Sequence, residues 1–419
     1  GTTLPKGLRA VLVIDKLSLE YTDQQAKPGA SIYHFAAPDL SGRASIEGGN
    51  ADATLNGGFD FQRTAQAKPE PGGSIALKAS VTGLADSTGK LTPDQAKVDA
   101  DLRIKDLAVA IADALAGMDN KLVAGVGEKL QASLVAKGSL SDADATITAS
   151  STAIDANLAF KSAAGVITTP KPGTISIKTA GMMPLLGLDE ALKNQDSVTL
   201  QRLPDFAATL DNVRIPLPIN GKPLDLRGGT FVLDIKSTET VGSVRVPNAD
   251  GSQGQPQAYR LAPLTAKLAS EDLAKKVSFT ANTNATLGGH SAGALAANFD
   301  AIEPLDAAGK PRQGMPGRVQ GQVTLAGVAT AIAQPFVAAA GVDLAKDVGP
   351  TLDLSLKAAA GDEEAGTPPA ASSAAATAGS LAQTHMALDL KSANVNAIAR
   401  LLADAKTIRT KPKGVELKV

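Results

Sequence analysis

The chain has 419 residues, and its 41 basic and 42 acidic residues nearly cancel, which argues against binding of nucleic acid or of a membrane surface through bulk charge. Cysteine is absent, which excludes disulfide bonds and thiolate metal sites. Aromatic residues make up only 3%, so any large apolar interior must be built from Ala, Val, Leu and Ile.

The first predicted element is a strand over Gly7–Leu19, and the last segment, Val415–Val419, also has a strand pattern. The chain starts at Gly1 without Met or a signal sequence. We therefore expect a processed chain or a segment of a longer protein, whose anchor or targeting signal lies elsewhere. No stretch approaches the roughly 18 apolar residues of a membrane-spanning helix.

Alternation of apolar and polar residues is the dominant signal between these ends. It is clear in Ile75–Val81, in Ile154–Lys161 and in Leu352–Lys357. Because successive side chains of a strand point to opposite faces, each strand has one apolar and one polar side. The pattern predicts a mainly β fold of antiparallel sheets with one solvated face.

Four segments repeat one phrase, an alternating strand followed by a short apolar helix. They start near residues 102, 175, 323 and 388, a period of roughly 70 to 75 residues with one copy skipped or degenerate, as in repeat architectures. The strands and the apolar helix positions are Leu102–Lys105 with Leu107, Ile111 and Leu115; Ile175–Lys178 with Met182 and Leu186; Val323–Leu325 with Val328, Ile332 and Phe336; and Leu388–Lys391 with Val395, Ile398 and Leu402.

A longer period is superimposed on the short one. Residues 102–137 align with 323–358 at an offset of 221 to 222. The sequence therefore predicts two large β repeats, residues 1–205 and 206–419, in an elongated array. A Pro-, Ala- and Ser-rich stretch near 361–381 has no counterpart in the first repeat and is predicted to be a disordered insertion.

The apolar faces need a cover, and two alternatives remain open. A second layer of aliphatic strands would make a packed core, whereas a curved sheet would leave a taco-like groove for a ligand. The repeated helices are either plugs that cap a sheet end or a rim over that groove. The candidate lining residues are Ile75, Leu77, Leu102, Ile104, Ile154, Leu158, Phe160, Ile175, Ile177, Phe231, Leu233, Ile235, Val323, Leu325, Leu352, Leu354, Leu388 and Leu390.

One catalytic motif is present in form. Gly289–Gly293 matches G-x-S-x-G, the nucleophile elbow of serine esterases, with Ser291 as nucleophile. The preceding segment is amphipathic rather than a buried strand, and Leu295 aligns with Leu55 of the first half, where no elbow occurs. The esterase is therefore a remote alternative. We expect no enzyme, no catalytic residue, no cofactor and no metal site, since the three histidines are scattered.

The strand-to-helix phrase in Leu102–Leu115 and Leu388–Leu402 resembles that of the AsmA-like proteins, a group that includes TamB-like proteins. Leu226–Ile235 is similar to the Gly-Gly-strand passages of that group. The resemblance implies a long β groove lined by aliphatic side chains, which conducts phospholipid acyl chains between the two membranes of a Gram-negative-type envelope. It implies a periplasmic location and a membrane anchor in parts not in this chain, and the array could continue with further repeats or copies of itself. The usual amino-terminal membrane helix is missing.

The alternative function is a structural repeat segment of an extracellular fibre, adhesin or surface layer, with fully packed apolar faces. The two differ in whether the chain carries lipid. The aliphatic lining would hold acyl chains without selecting among them, at about 0.8 kcal/mol per buried CH₂.

Overall fold

A computed structural model describes residues 3, 5, 8–22, 32–93, 95–139, 141–181, 198–218, 223–247, 252–312, 318–337, 343–360, 384–403 and 408–418. Within these ranges the fold is mainly β and the ladders are antiparallel, as the alternation predicts. The chain divides into two compact units, the first Gly1–Asp189 with Ala207–Leu224 and the second Glu190–Phe206 with Asp225–Val419. The predicted insertion near 361–381 lies outside the described residues.

The first unit is a meander in which each of its first eight strands pairs with the next one in the chain. Strand β8 then pairs along one half with β9 and along the other half with β10, and β12 also pairs with β9. Its strands are β1 Arg9–Thr22, β2 His34–Glu47, β3 Asn50–Gln62, β4 Glu70–Thr82, β5 Lys97–Ala108, β6 Lys129–Ser139, β7 Asp142–Ser150, β8 Ile154–Ala163, β9 Val166–Thr168, β10 Gly173–Ile177 and β12 Phe206–Pro216.

The second unit contains a similar meander from β16 to β23, except that the described β20 and β21 flank the predicted insertion. Strand β13 pairs with β16, and β17 is shared by β15 and β16. Its strands are β11 Val198–Arg202, β13 Thr230–Ser237, β14 Thr240–Pro247, β15 Gln253–Leu261, β16 Thr265–Asp272, β17 Lys276–Leu287, β18 His290–Ile302, β19 Arg318–Ala329, β20 Thr351–Ala360, β21 Thr384–Ser392, β22 Asn396–Ala403 and β23 Ile408–Lys418.

Two of the four predicted strand-to-helix phrases are present. Strand β5 runs into α1, Val109–Ala116, and β19 runs into α3, Thr330–Val337, each helix having 8 residues. A short helix follows each of them, α2 Lys121–Val126 and α4 Leu344–Asp347. Short helices of this kind are unstable alone and depend on the sheet for support.

The junctions between β5 and α1 and between β19 and α3 share one backbone feature. A β-bulge falls between Ile104 and Leu107 in the first unit and between Leu325 and Val328 in the second. The residue inside each bulge has a positive φ, 50° at Asp106 and 59° at Gly327. Such bulges bend a strand. Here the ladder resumes for two residue pairs after each bulge, and the helix then begins, at Val109 in the first unit and at Thr330 in the second.

The other two phrases differ from the prediction. The segment with Val395, Ile398 and Leu402 is not a helix: residues 396–403 form β22, which pairs with β21. The connection between β21 and β22 has no bulge of the kind found before α1 and α3. A tight turn with hydrogen bonds between Ser392 and Val395 reverses the chain there. In the copy near residue 175, β10 is followed by the 3₁₀ turn Thr179–Gly181, and the predicted helix positions Met182 and Leu186 lie outside the described residues.

A buried hydrophobic cluster of the first unit forms where α1 packs on the meander. Ile111 and Ala110 of the helix pack with Phe61 and Ile32, and the side chains of Phe35, Phe59, Leu107, Ala114 and Val123 surround them. The prediction that Leu115 joins this stripe is wrong, since its side chain is 62% exposed. The helix begins only at Val109, so Leu107 belongs to the strand and the buried arc of the helix is centred on Ala110.

No helix in the described part of the chain is long and apolar enough to cross a membrane.

Candidate functional site

The meander of the first unit aligns apolar side chains into rows that cross the strands. Directly paired residues of antiparallel strands lie on the same face, so the pairing register decides which side chains become neighbours. The longest unbroken aliphatic row of large residues runs from β3 to β8 through Leu55, Leu77, Leu102, Leu134, Ile147 and Leu158.

Two further rows flank this one on the same face. The first consists almost wholly of alanine from β2 to β8, namely Ala44, Ala53, Ala79, Ala100, Ala136, Ala145 and Phe160. The second crosses from β3 to β8 and on to β10 through Gly57, Ile75, Ile104, Ala132, Ala149, Ala156 and Ile175. Together the three rows form the apolar face of the first unit.

The second unit has an equivalent apolar face, whose longest row mixes alanines with larger aliphatic residues. From β13 through β16 to β23 this row contains Ile235, Ala266, Ala281, Ala297, Val323, Leu356, Leu388, Ala399 and Val415. A row of leucines lies beside it on β18 to β21, formed by Leu295, Leu325, Leu354 and Leu390.

All eighteen predicted lining residues fall on these two faces, nine on each. Every one of them is half-buried: none is enclosed by the protein and none is fully exposed. Among the row residues, Leu134 is 37% exposed and Ile147 39%. Side chains that form the interior of a packed sandwich would instead be almost fully buried.

Several row members were not among the eighteen predicted residues. Leu356 continues the alternation of Leu352 and Leu354 along β20. The others lie on β3, β6, β7 and β18, which contain none of the predicted residues: Leu55, Leu134, Ile147 and Leu295. Extension of the alternation along β20 finds Leu356, and the same alternation within each of the other strands finds the rest. Their alignment into rows depends on the pairing register, for which a single sequence contains no direct signal.

Helix α1 covers one end of the apolar face in the first unit. Phe59 and Phe61 continue the alternation of Leu55 along β3, and α1 packs on them through Ile111. The helix is fixed by Asp113, whose side chain is 0% exposed. Its carboxylate accepts hydrogen bonds from the backbone N–H groups of Asn120 (2.7 Å), Leu122 (2.7 Å) and Val123 (3.3 Å) at the start of α2. The helix pair is therefore a fixed border of the face.

The opposite face of the first unit is polar and carries charges of both signs. One row from β2 to β8 reads Ser45, Asp52, Ser80, Asp99, Lys137, Asp144 and Lys161. Beside it, Arg103 donates two hydrogen bonds to the Asp101 carboxylate (2.8 and 2.6 Å), which lower the pKa of Asp101 and raise that of Arg103. These side chains are solvated, as expected for the outer face of a half-wet sheet.

The G-x-S-x-G motif lies in a β-hairpin, not in a nucleophile elbow. Gly288 and Gly289, both with positive φ, form the two-residue turn between β17 and β18. Ser291 is a residue of β18 and lies opposite Thr286 of β17. After Ser291 the chain continues as a strand to Ile302 and does not enter a helix. The strained strand-to-helix turn that exposes a catalytic serine is therefore missing here.

Gly293 of the motif serves close packing. Strand β18 pairs with the bulged strand β19, and a Cβ atom at Gly293 would lie 2.7 Å from the Cα atom of Val328. Gly73 has the same relation to the bulge of β5 in the first unit, where a Cβ would lie 2.6 Å from the Cα atom of Leu107. Strand β18 thus has the place that β4 has in the first unit, and the predicted alignment of Leu295 with Leu55 is wrong by one strand. Neighbouring strands share similar alternating patterns, which allows such a slip.

Among the described residues no group of three or more His, Asp or Glu side chains is placed to hold a metal ion. Comparison with protein-family models, with curated proteins and with solved structures gives no match for this chain.

Proposed function

We propose that the chain is a non-enzymatic lipid carrier, in which the apolar face of each unit forms a taco-like groove for acyl chains. The supporting observation is the half-exposed aliphatic row of the first unit, Leu55 to Leu158, which crosses six strands without a polar side chain. A packed structural repeat would bury these side chains, and an apolar area of this length is rarely left open without a ligand or partner.

The dimensions of the row fit an acyl chain. Neighbouring strands are about 4.8 Å apart, so six strands give a path of about 24 Å. An acyl chain spans one leaflet, about half of the ~30 Å hydrocarbon core of a bilayer, and so is shorter than the row. A chain lying along the row would exchange water for aliphatic contacts at about 0.8 kcal/mol per CH₂.

The absence of polar groups within the row favours movement over selection. A wall of Leu, Ile and Ala makes similar contacts at each step, so the bound chain can slide from strand to strand without breaking hydrogen bonds. The repeated junctions at α1 and α3 support the interpretation of the chain as two large repeats of one such carrier unit. Together with the resemblance of Leu102–Leu115 to the AsmA-like strand-to-helix phrase, these junctions support our proposal of a carrier in the periplasm of a Gram-negative-type envelope, with phospholipid as cargo.

The test compares two neighbouring positions on opposite faces of β7. Ile147 lies in the aliphatic row between Leu134 and Leu158, whereas Thr146 lies on the other face between Val135 and Ala159. Both side chains are exposed, so an Asp at either position can be solvated in the folded protein. We expect Ile147→Asp to remove most co-purifying phospholipid, because an ion in the row has no counter-charge. Thr146→Asp is the matched control and should load like the original chain.

Three measurements on the same preparations decide the outcome: lipid content by mass spectrometry, transfer of a fluorescent phospholipid between vesicles, and thermal unfolding by circular dichroism. Lipid in the original chain and in Thr146→Asp, and its loss in a folded Ile147→Asp, support the carrier. A chain free of lipid under gentle extraction, without transfer between vesicles, would refute it and favour the structural repeat. Equal lipid loss in both variants would contradict the role assigned to the apolar face.

A further inference from the structure

Strand β1 is an open edge of the first unit. Its one ladder partner among the described strands is β2, so the backbone N–H and C=O groups along its outer side are without a strand partner there. It is 14 residues long, contains no proline, and has one lysine, Lys16. Natural proteins usually protect such edges with proline, with short strands or with lysines, because an open edge pairs readily with another strand.

The first half of β1 has exposed apolar side chains on both faces. Leu12, opposite Ala44 on the apolar face, is 61% exposed. Val11 and Val13, opposite Ser45 and Arg43 on the polar face, are 45% and 50% exposed. The exposure of Val11 and Val13 is unexplained by a lipid groove, since they face away from it.

We propose that β1 pairs antiparallel with β1 of a second copy of this chain, about a two-fold axis at Leu12. The two copies then share one ladder, in which the same surface of each chain forms the interface. This proposal does not depend on lipid binding, because it is based on the edge and its side chains alone.

The charges of β1 select this register. Pairing with β2 is regular over Arg9–Ile14 and shifts only after Ile14. Two copies must pair residues of the same face, which restricts the two-fold axis to a residue. With the axis at Leu12, Ala10 lies opposite Ile14, Val11 opposite Val13, and Arg9 opposite Asp15 of the partner strand.

Neighbouring registers lose this match. An axis at Val11 would place Arg9 against Val13, and an axis at Val13 would place Asp15 against Val11. Of these three registers, only the axis at Leu12 pairs apolar residues with apolar residues on both faces. It also pairs Arg9 with Asp15 at each end of the segment from residue 9 to residue 15. Cross-strand pairs of these kinds each stabilise a ladder by about 0.2–1 kcal/mol.

The chain contains no cysteine, so single cysteines report the register without interference. Directly opposed residues of antiparallel strands have Cα atoms about 4.5–5.5 Å apart, within the range that a disulfide bridges. Leu12→Cys should therefore form disulfide-linked dimers on oxidation. Ala10→Cys should not link to itself, because two copies of residue 10 lie about 13 Å apart along the ladder. A mixture of Ala10→Cys and Ile14→Cys should link.

Val415→Cys is the control. Val415 is 59% exposed on β23, the last strand of the meander in the second unit, so a cysteine there is as accessible as one at position 12. It should link neither to itself nor to Leu12→Cys. In sedimentation equilibrium, the original chain should approach twice its 42.3 kDa mass as concentration rises. Leu12→Lys should remain a monomer with an unchanged thermal unfolding curve.

The proposal is supported by the Leu12→Cys dimer together with the 10–14 cross-link. Preferred linkage between Leu12→Cys and Val415→Cys would overturn it in favour of head-to-tail pairing of copies. A monomeric mass at all concentrations, with no Leu12→Cys dimer, would overturn it altogether.

Discussion

Replacement of Gly293 by alanine tests whether the G-x-S-x-G motif is architectural. Gly293 has a φ of 129°, and an added Cβ would lie 2.7 Å from the Cα atom and 3.1 Å from the N atom of Val328. These atoms belong to the backbone at the bulge that precedes α3. They cannot move aside without a shift of the junction itself.

The expected loss has two parts. A non-glycine residue in this conformation costs about 1–3 kcal/mol, and overpacking against a fixed neighbour costs about 1–3 kcal/mol more. Gly293→Ala should therefore destabilise the second unit by about 2–6 kcal/mol. Gly289→Ala is the matched control: its φ is 84°, but nothing lies within 4 Å of the added Cβ, so only the conformational cost of about 1–2 kcal/mol applies. Ser291→Ala should change stability by less than about 0.5 kcal/mol.

Urea unfolding followed by circular dichroism measures all three variants, with a fluorophosphonate probe applied to the original chain. Gly73→Ala should act on the first unit as Gly293→Ala acts on the second, because its added Cβ would lie 2.6 Å from the Cα of Leu107. Equal unfolding midpoints for Gly293→Ala and Gly289→Ala would refute the packing explanation. Labelling of Ser291 by the probe would revive the esterase.

Two further predictions concern carboxylates outside the apolar faces. Asp113→Ala should destabilise the first unit by about 2–4 kcal/mol in urea unfolding, because three backbone N–H groups at α2 lose their acceptor. Asp113→Asn should destabilise it less, since one acceptor oxygen remains. Equal losses of stability in the two variants would contradict the assigned hydrogen bonds. Hydrogen bonds from Arg227 lower the pKa of Asp225 from 3.8 to about 2. Because the folded-state pKa lies below the unfolded one, its contribution to stability is present above the unfolded value and is lost as the pH falls toward about 2. Arg227→Gln should return the Asp225 pKa toward 3.8 in a carbon-detected NMR titration, and an unchanged pKa would show that Arg227 is not the cause.

The strands and their faces could be predicted from the sequence because alternation is a local property. Ile154–Lys161 has the same pattern whatever its neighbours are, and β8 occupies nearly that range. The helix α1 was also accessible, from the spacing of apolar residues after β5. The prediction of a helix at Val395–Leu402 is wrong for a physical reason. The apolar residues of this segment fit both a helical and an alternating spacing, and it forms a strand because it pairs with the open side of β21.

Other features depend on contacts between distant segments. Asp113 has the appearance of an ordinary helix residue until α2 folds back over it. Gly73 and Gly293 are ordinary glycines in sequence, and their role follows only from the bulges on the neighbouring strands. The aliphatic rows likewise need the register of each hairpin, which small residues set in two-residue turns such as Gly48–Gly49.

That register needs more support in this protein than in a packed sandwich. A slip of one residue moves every apolar side chain of a strand to the opposite face, and burial normally makes such a slip costly. Here the apolar face is half-exposed, so a slip costs less free energy than it would within a closed core. The turns, the bulges at Asp106 and Gly327, and the buried cluster around α1 supply the missing restraint, since each fixes one strand against its neighbour through backbone geometry. A face can thus stay half-exposed while the strands that form it remain in register.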